Sequence, residues 1–240
     1  MYFDCVNVPE YHIYPLGDHA ITITMGNTID EQINQQILSL FYTLQQQKIP
    51  FVKDLIPAYC SLTLVYDAAA MLEKQSTAFS YMKQQLEQAL KETANSMVSS
   101  RSIEIPVCYD LSLGIDLEEM AVTKDLSVEQ LIQLHSNNTY RVFMIGFLPG
   151  FSYMGTVDER IFMPRKAQPR TKVFAGSVGI AGQQTGIYPF DSPGGWNIIG
   201  QTPVKLFDAE RKEPVYLQAG DTVKFIPITL EMFHQLKAQP

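Results

Sequence analysis

Along the first hundred residues the apolar positions switch between two spacings. YHIYPLG and HAITITMG read as extended segments, the second rich in β-branched residues. Ile33, Ile37, Leu40, Phe41 and Leu44 then recur every three or four positions, the apolar stripe of an amphipathic helix. Thr28 and Glu31 stand in the T-x-x-E order of a capping box and predict the start of that helix. FVKDLIPAY and SLTLVYD read as two further strands, and Phe79, Met82, Leu86 and Leu90 keep helical spacing on a long polar-faced helix. The order is ββαββα, which suits a small antiparallel or mixed sheet covered by two helices. The polar segment KETANSMVSSR has the composition of a helix end and linker, so the pattern predicts a domain boundary near residue 100.

Beyond it, SIEIPVCYD reads as a strand and DLEEMAVTKDLSVEQLIQLHS as two short helices, the second capped by Ser127 with Glu129 and Gln130 in its first turn. From Tyr140 onward the runs YRVFMIGF, KVFAGSVGIAG, GWNIIGQT, PVYLQAG and DTVKFIPIT alternate with glycine and proline, which predicts a β-barrel or a similarly closed β-structure. The expected fold class is α+β, with a small α/β domain over residues 1–100 and a barrel domain over 101–240.

Composition narrows the function classes. Hydrophobic residues make up 46% of the 240 residues and charged ones 18%, a globular balance without an apolar run long enough to span a bilayer. No membrane role is expected. The N-terminal segment lacks the basic start and apolar core of a secretory signal, which implies a cytoplasmic, reducing setting and free thiols at Cys5, Cys60 and Cys108. The cysteines form no CxxC pair, and His12, His19, His135 and His234 show no HExxH spacing, so no metal site is expected. A net charge of −7 argues against a nucleic-acid partner. The local exception is Arg165, Lys166, Arg170 and Lys172, four cations within eight residues. They form either a solvated loop or a site for a carboxylate or phosphate, to which arginine's planar fork is suited. They lie in the stretch from Gly146 to Gly200, which holds ten of the chain's fourteen glycines and marks it as the main functional surface.

Four blocks within and beyond that stretch carry a resemblance. GFLPGFSYMG, PRKAQPRTKVFAGSVGIAGQQTGIYP, SPGGWNIIGQTP and AGDTVKFIPI, together with PLGDHAITITMG and SLTLVYD earlier in the chain, resemble the family of 5-oxoprolinase B subunits. Its members are also described as allophanate hydrolase subunit 1-like or as KipI-type inhibitors of a sporulation sensor kinase. The resemblance implies a cyclophilin-like barrel without prolyl isomerase activity. It also implies one part of a 5-oxoprolinase, paired with a larger C-type subunit, and with an A-type one, to convert 5-oxoproline to glutamate, with ATP as cofactor shared with the partner. A second implied function is inhibition of a sensor histidine kinase. A third, a biotin-dependent carboxyltransferase-like component, rests on related urea-processing proteins, and the chain lacks an M-K-M biotin-accepting motif.

Within the matching blocks, Arg170 suits a clamp on a carboxylate or phosphoryl group, or else a structural salt bridge. Gln184 suits the reading of an amide, or closure of a turn. Tyr188 offers a hydroxyl, or core packing with a wet end, and Trp196 an aromatic wall, an interface anchor or core. Asp116 and His135 fall where the family has similar residues and are candidates for proton transfer beside the barrel mouth, against a packing role for the histidine near a helix end. Gly176, Gly179 and Gly182 are candidate cofactor contacts, though GSVGIAG lacks the lysine of a P-loop and tight corners need such glycines equally. Ser177 lies outside a G-x-S-x-G elbow. Phe147, Phe151, Tyr153 and Met154 suggest an exposed apolar patch, or barrel core.

Overall fold

The computed structural model describes residues 10–71, 77–93 and 100–238. The chain is an α+β protein that divides into two compact units, Met1–Ser99 and Ser100–Pro240. In the first, β1 (His12–Pro15), β2 (Ala20–Thr24), α1 (Glu31–Gln47), β3 (Val52–Pro57), β4 (Ser61–Tyr66), α2 (Ala68–Met71) and α3 (Ala78–Thr93) follow one another. The sheet is antiparallel, in the order β1-β2-β4-β3. Strand alternation places Leu62, Leu64 and Tyr66 of β4 and Ile21 and Ile23 of β2 in one core with Ile37, Leu40 and Leu44 of α1 and Met82, Leu86 and Leu90 of α3. Ile33 and Phe41 pack at its margin. The helix start differs from the expected one: Asp30, not Thr28, is the cap, accepting the Ile33 N–H at 2.9 Å. A carboxylate at this position satisfies the end donors and also complements their partial positive charge, which a threonine hydroxyl does not. Most of the expected linker, residues 94–99, lies outside the described residues.

The second unit contains β5 (Ser102–Cys108), α4 (Leu117–Thr123), α5 (Val128–Ser136), β6 (Thr139–Ile145), β7 (Ser152–Gly155), β8 (Arg170–Val173), β9 (Ser177–Ala181), β10 (Gln184–Ile187), β11 (Ser192–Gly194), β12 (Asn197–Gln201), β13 (Thr222–Ile228) and α6 (Leu230–Lys237). Seven strands close a barrel in the order β10-β7-β6-β13-β5-β12-β9, with β13 and β5 parallel and the other neighbours antiparallel. Ser127 forms the capping box with Gln130 at the start of α5. PVYLQAG is not a strand: only Val215 makes a bridge, to Phe207. The pattern does not foresee α6, which Thr229 caps and Phe233 ties down by burial. Among the described residues no helix is long and apolar enough to cross a membrane.

Alternation along the barrel strands separates two apolar clusters. Val178, Ile180, Ile187, Val142, Ile199 and Phe225 belong to the large cluster inside. Phe151, Val173, Ala181, Tyr188, Trp196 and Ile198 form a second cluster, backed by the β8–β11 ribbon.

Candidate functional site

Asp116 stands immediately before α4 and is locked to β12 in both directions. Its N–H donates to the Ile198 carbonyl at 2.9 Å, and its Oδ2 accepts the Ile198 N–H at 2.7 Å. The turn comes this close because Gly114 has no side chain: a Cβ there would lie 2.4 Å from the Ile199 carbonyl oxygen. The carboxylate is almost wholly buried, and its Oδ1 receives the Arg170 Nη2 and, at 2.8 Å, the Lys166 ammonium. Lys166 also reaches Glu119 at 3.0 Å; its pKa is raised first by the hydrogen bond to Asp116, against the cost of burial. The second guanidinium nitrogen of Arg170, Nη1, is enclosed and has no hydrogen-bond partner among the described residues. A buried donor left in this state is costly unless a ligand or water oxygen meets it.

Beside this node lies the aromatic cluster. Phe151 meets Tyr188 and Trp196 edge to face at centroid distances of 5.2 and 5.4 Å. Trp196 lies on a floor of two paired glycines, Gly179 of β9 and Gly186 of β10, where a Cβ on either would stand 3.1 Å from its atoms. Asn197 donates to the Pro164 carbonyl at 2.9 Å and Lys166 N–H to the Gly195 carbonyl at 2.8 Å, which pins the PRK segment to the barrel. Arg165 is thereby held with its guanidinium carbon 5.8 Å from the Trp196 ring centroid, a cation–π distance. Burial raises the Tyr153 hydroxyl pKa, opposed by the charge of Arg165 and a hydrogen bond from it. The Tyr188 hydroxyl is raised by burial in the same way, opposed first by the Trp196 backbone N–H. Thr185 of β10 points inward, so Gln184 and Gly186 face outward and Gln184 shares the Trp196 side of the barrel.

Three sequence candidates therefore come together, Arg170, Tyr188 and Trp196, with Asp116 beneath Arg170, while Gln184 shares the outer face of the barrel. Tyr188 and Trp196 are almost fully buried, so they back the site rather than line it, while Arg165 and Arg170 reach its surface. His135 stands apart from these residues. It is fully buried, among inward-facing residues of the barrel strands. Its Nδ1 is 2.8 Å from the Tyr109 hydroxyl, its Nε2 is 2.9 Å from Thr185 Oγ1, and its ring stacks on Phe225 at 4.7 Å. Burial lowers its pKa to about 3, so the ring is neutral and both nitrogens are occupied.

The three candidate glycines each have a local structural reason. Gly176 has φ +81° and a Cβ there would lie 2.3 Å from the Thr202 carbonyl oxygen; its N–H is given to the Tyr188 carbonyl. Gly179 is the floor of Trp196, and Gly182, at φ +62°, opens the β9–β10 turn with its N–H given to the Met163 carbonyl. At these positions glycine answers to close packing and to turns. Likewise Phe151 and Met154 are buried, which leaves Phe147 as the exposed member of the expected patch.

Residues 11–217 match the model of the carboxyltransferase domain, subdomains C and D. The chain is 42% identical over 235 residues to the 5-oxoprolinase B subunit of Bacillus subtilis, covering 96% of this chain and 98% of that protein. It is 40% identical over 221 residues to the 5-oxoprolinase B subunit of Haemophilus influenzae, covering 92% of this chain and all of that one. The chain belongs to the family of 5-oxoprolinase B subunits. Among solved structures, TTHA0988 superposes with a TM-score of 0.76 at 35% identity over 87% of this chain, which spans only 40% of that protein.

Within this family frame, what local pattern misses is as informative as what it finds. Lys166 and the Ile198 N–H hold Asp116 from 50 and 82 positions away, and no spacing along the chain pairs them. Periodicity does not single out Gly186 and Gly194 although Trp196 and Tyr188 depend on them; a glycine near an aromatic residue in a strand is the available signal.

Proposed function

We propose that this chain is the part of an ATP-dependent 5-oxoprolinase that receives the lactam substrate on the outer face of the barrel, beside Arg170 and Arg165, and acts only with a larger partner of the C-subunit type and a chain of the A-subunit type. The observation that carries this reading is the Arg170 guanidinium: one nitrogen bound to a buried carboxylate, the other a donor without a partner among the described residues. A carboxylate of the substrate meets the remaining donor of that fork, with Arg165 as a second charge. The packed Trp196 and Tyr188 hold the two cations in place at little entropic cost on binding, and Gln184 supplies an amide on the same face. In this reading Asp116 is a positioning residue, since its oxygens already accept from three donors. The N–H groups of Gly176 and Gly182 are spent on protein carbonyls, so we assign the nucleotide to the partner chain.

The carboxyltransferase description of the matching family model favours one further reading, transfer of a carboxyl group with a biotin-carrying partner at the same two arginines. The test is ATP hydrolysis by the assembled complex with and without 5-oxoproline. Arg170→Ala is expected to lower substrate-dependent kcat/KM roughly 100-fold with assembly intact, because Asp116 keeps Lys166 and the Ile198 N–H. Arg170→Lys, which lacks the fork, is expected not to restore it. Hydrolysis that ignores 5-oxoproline but responds to bicarbonate and biotin would replace this reading with the carboxyl-transfer one. Turnover equal to wild type in Arg170→Ala would remove the site.

A further inference from the structure

The loop between β6 and β7 holds a phenylalanine in a conformation that its own packing does not repay. The Leu148 N–H returns to the Gly146 carbonyl at 2.8 Å, closing a three-residue turn whose centre is Phe147 at φ +68°. That backbone region is costly for a bulky residue, and a turn of this hand is rare. Yet Phe147 is 64% exposed, and its ring meets that of Phe151 at a near-perpendicular angle with centroids 5.6 Å apart. Strain and exposed aromatic surface are thus borne at one residue, the combination expected where a side chain is held out for another molecule.

Phe147 is not isolated. Gly150, three residues on, packs against Leu206 and Phe207; Phe207 meets Phe190 at 5.3 Å; and Asp191 accepts the N–H of Ala175, next to Phe174. Phe190 and Phe174 are 37% and 59% exposed, so three rings share one rim of the barrel. Among them Lys172 pairs with Asp191 at 2.8 Å and Lys205 with Asp208 at 3.0 Å, with Arg211 also on Asp208 and Lys237 on the surface beside Phe174. A rim of exposed aromatic rings fits an apolar protein surface, and its surplus of cations fits one that carries acidic residues at its edge.

We infer that this rim, with Phe147 as its anchor, docks the second chain of the enzyme, the counterpart of the additional length in TTHA0988. The same unit makes up 98% of a relative whose name marks it as one subunit of an enzyme, and 40% of the TTHA0988 chain. A unit found both separately and joined to further protein needs a non-covalent seat for that neighbour when the two are separate chains. The inference rests on the functional reading above for the partner's identity, and on the rim alone for its location.

The experiment measures binding of the full-length chain to the separately purified partner by calorimetry, with melting of each variant alongside. Phe147→Gly is expected to bind about 30-fold more weakly, the effect of losing an interface anchor. Because glycine adopts positive φ freely, the same variant is expected to melt no lower than wild type. Phe147→Tyr is expected to bind within threefold of wild type, and Val122→Ser, which removes an exposed apolar side chain from α4, to bind unchanged. Wild-type binding by Phe147→Gly would overturn the inference, as would weak binding accompanied by a lowered melting temperature, which would mark a structural role. Self-association abolished in Phe147→Gly, with partner binding intact, would overturn it in favour of a second copy of this chain. Phe147-dependent binding in a complex that ignores 5-oxoproline would leave the docking rim standing and remove the functional reading. Turnover with Phe147-independent binding would do the reverse.

Discussion

Two buried polar networks belong to the barrel unit, and they differ in whether they are complete. Inside, the single hydroxyl proton of Thr185 goes to the Gly179 carbonyl, so Thr185 must accept from His135 Nε2–H, and His135 Nδ1 then accepts from Tyr109. Each donor has its acceptor and the chain ends on the backbone. At the outer site, Asp116 is saturated but Arg170 keeps a donor in hand, and three cations, Arg165, Lys166 and Arg170, stand over two carboxylates, Asp116 and Glu119. Burial is common to both networks. What separates scaffold from site is the remainder after hydrogen bonds and charges are counted.

The interior network gives the largest expected effect. The folded protein holds His135 neutral, with a pKa of about 3 against 6.5 unfolded, so the unfolded chain binds a proton that the folded one refuses. Its contribution is therefore complete above pH 6.5 and is lost progressively as the pH falls toward 3, by about 1.4 kcal/mol per pH unit. In His135→Gln this dependence disappears while the cost of disturbing Tyr109 and Thr185 remains. Urea unfolding at pH 7, 6 and 5 is expected to show the stability gap between wild type and variant narrowing with acid. A gap that stays constant would mean that the histidine is not kept neutral by burial.

The outer node comes next. Asp116→Ala removes the acceptor shared by Lys166, Arg170 and the Ile198 N–H and is expected to cost about 3 kcal/mol in denaturant unfolding. Lys166 and Arg170 side chains are 21% and 28% exposed, so both cations recover part of their hydration, which keeps the loss below that for a fully enclosed pair. Asp116→Asn keeps the acceptor for Ile198 and is expected to fall between the two. If Asp116→Ala unfolded like wild type, the carboxylate would not be the anchor of Arg170 and the contrast with the interior network would fail.

Much of this architecture is written in local pattern. The stripe from Ile33 to Leu44, the box at Ser127 and the alternation in β6 and β13 each state their element because the relevant neighbours are within a few residues. The failures also have physical sources. Asp30 outcompetes Thr28 as a cap, and PVYLQAG alternates like a strand but finds a ladder partner only at Val215. His135 and Asp116 look alike along the chain, as titratable residues near helix ends. The barrel then folds one of them inward against Phe225 and brings Arg170 to the other across 54 positions.

The glycines carry the contrast down to its smallest effects, because two of them look equivalent in sequence. A methyl group at Gly194 would stand 2.4 Å from the Tyr188 hydroxyl oxygen, and Gly194 is also the strand partner of Arg170. Gly194→Ala must therefore displace a ring held by Phe151 and by the Trp196 N–H. It is expected to cost about 2 kcal/mol and to disturb Arg170 as well, so that substrate-dependent turnover falls along with stability. At Gly182 an added Cβ meets nothing within 4 Å, and only the backbone, at φ +62°, objects. Gly182→Ala is expected to cost about 1 kcal/mol, Gly182→Asn less because asparagine tolerates this region, and neither to change turnover. Thermal melts paired with rates on the same preparations separate the two kinds of glycine. A turnover loss at Gly182 exceeding its stability loss would make that turn a ligand contact after all.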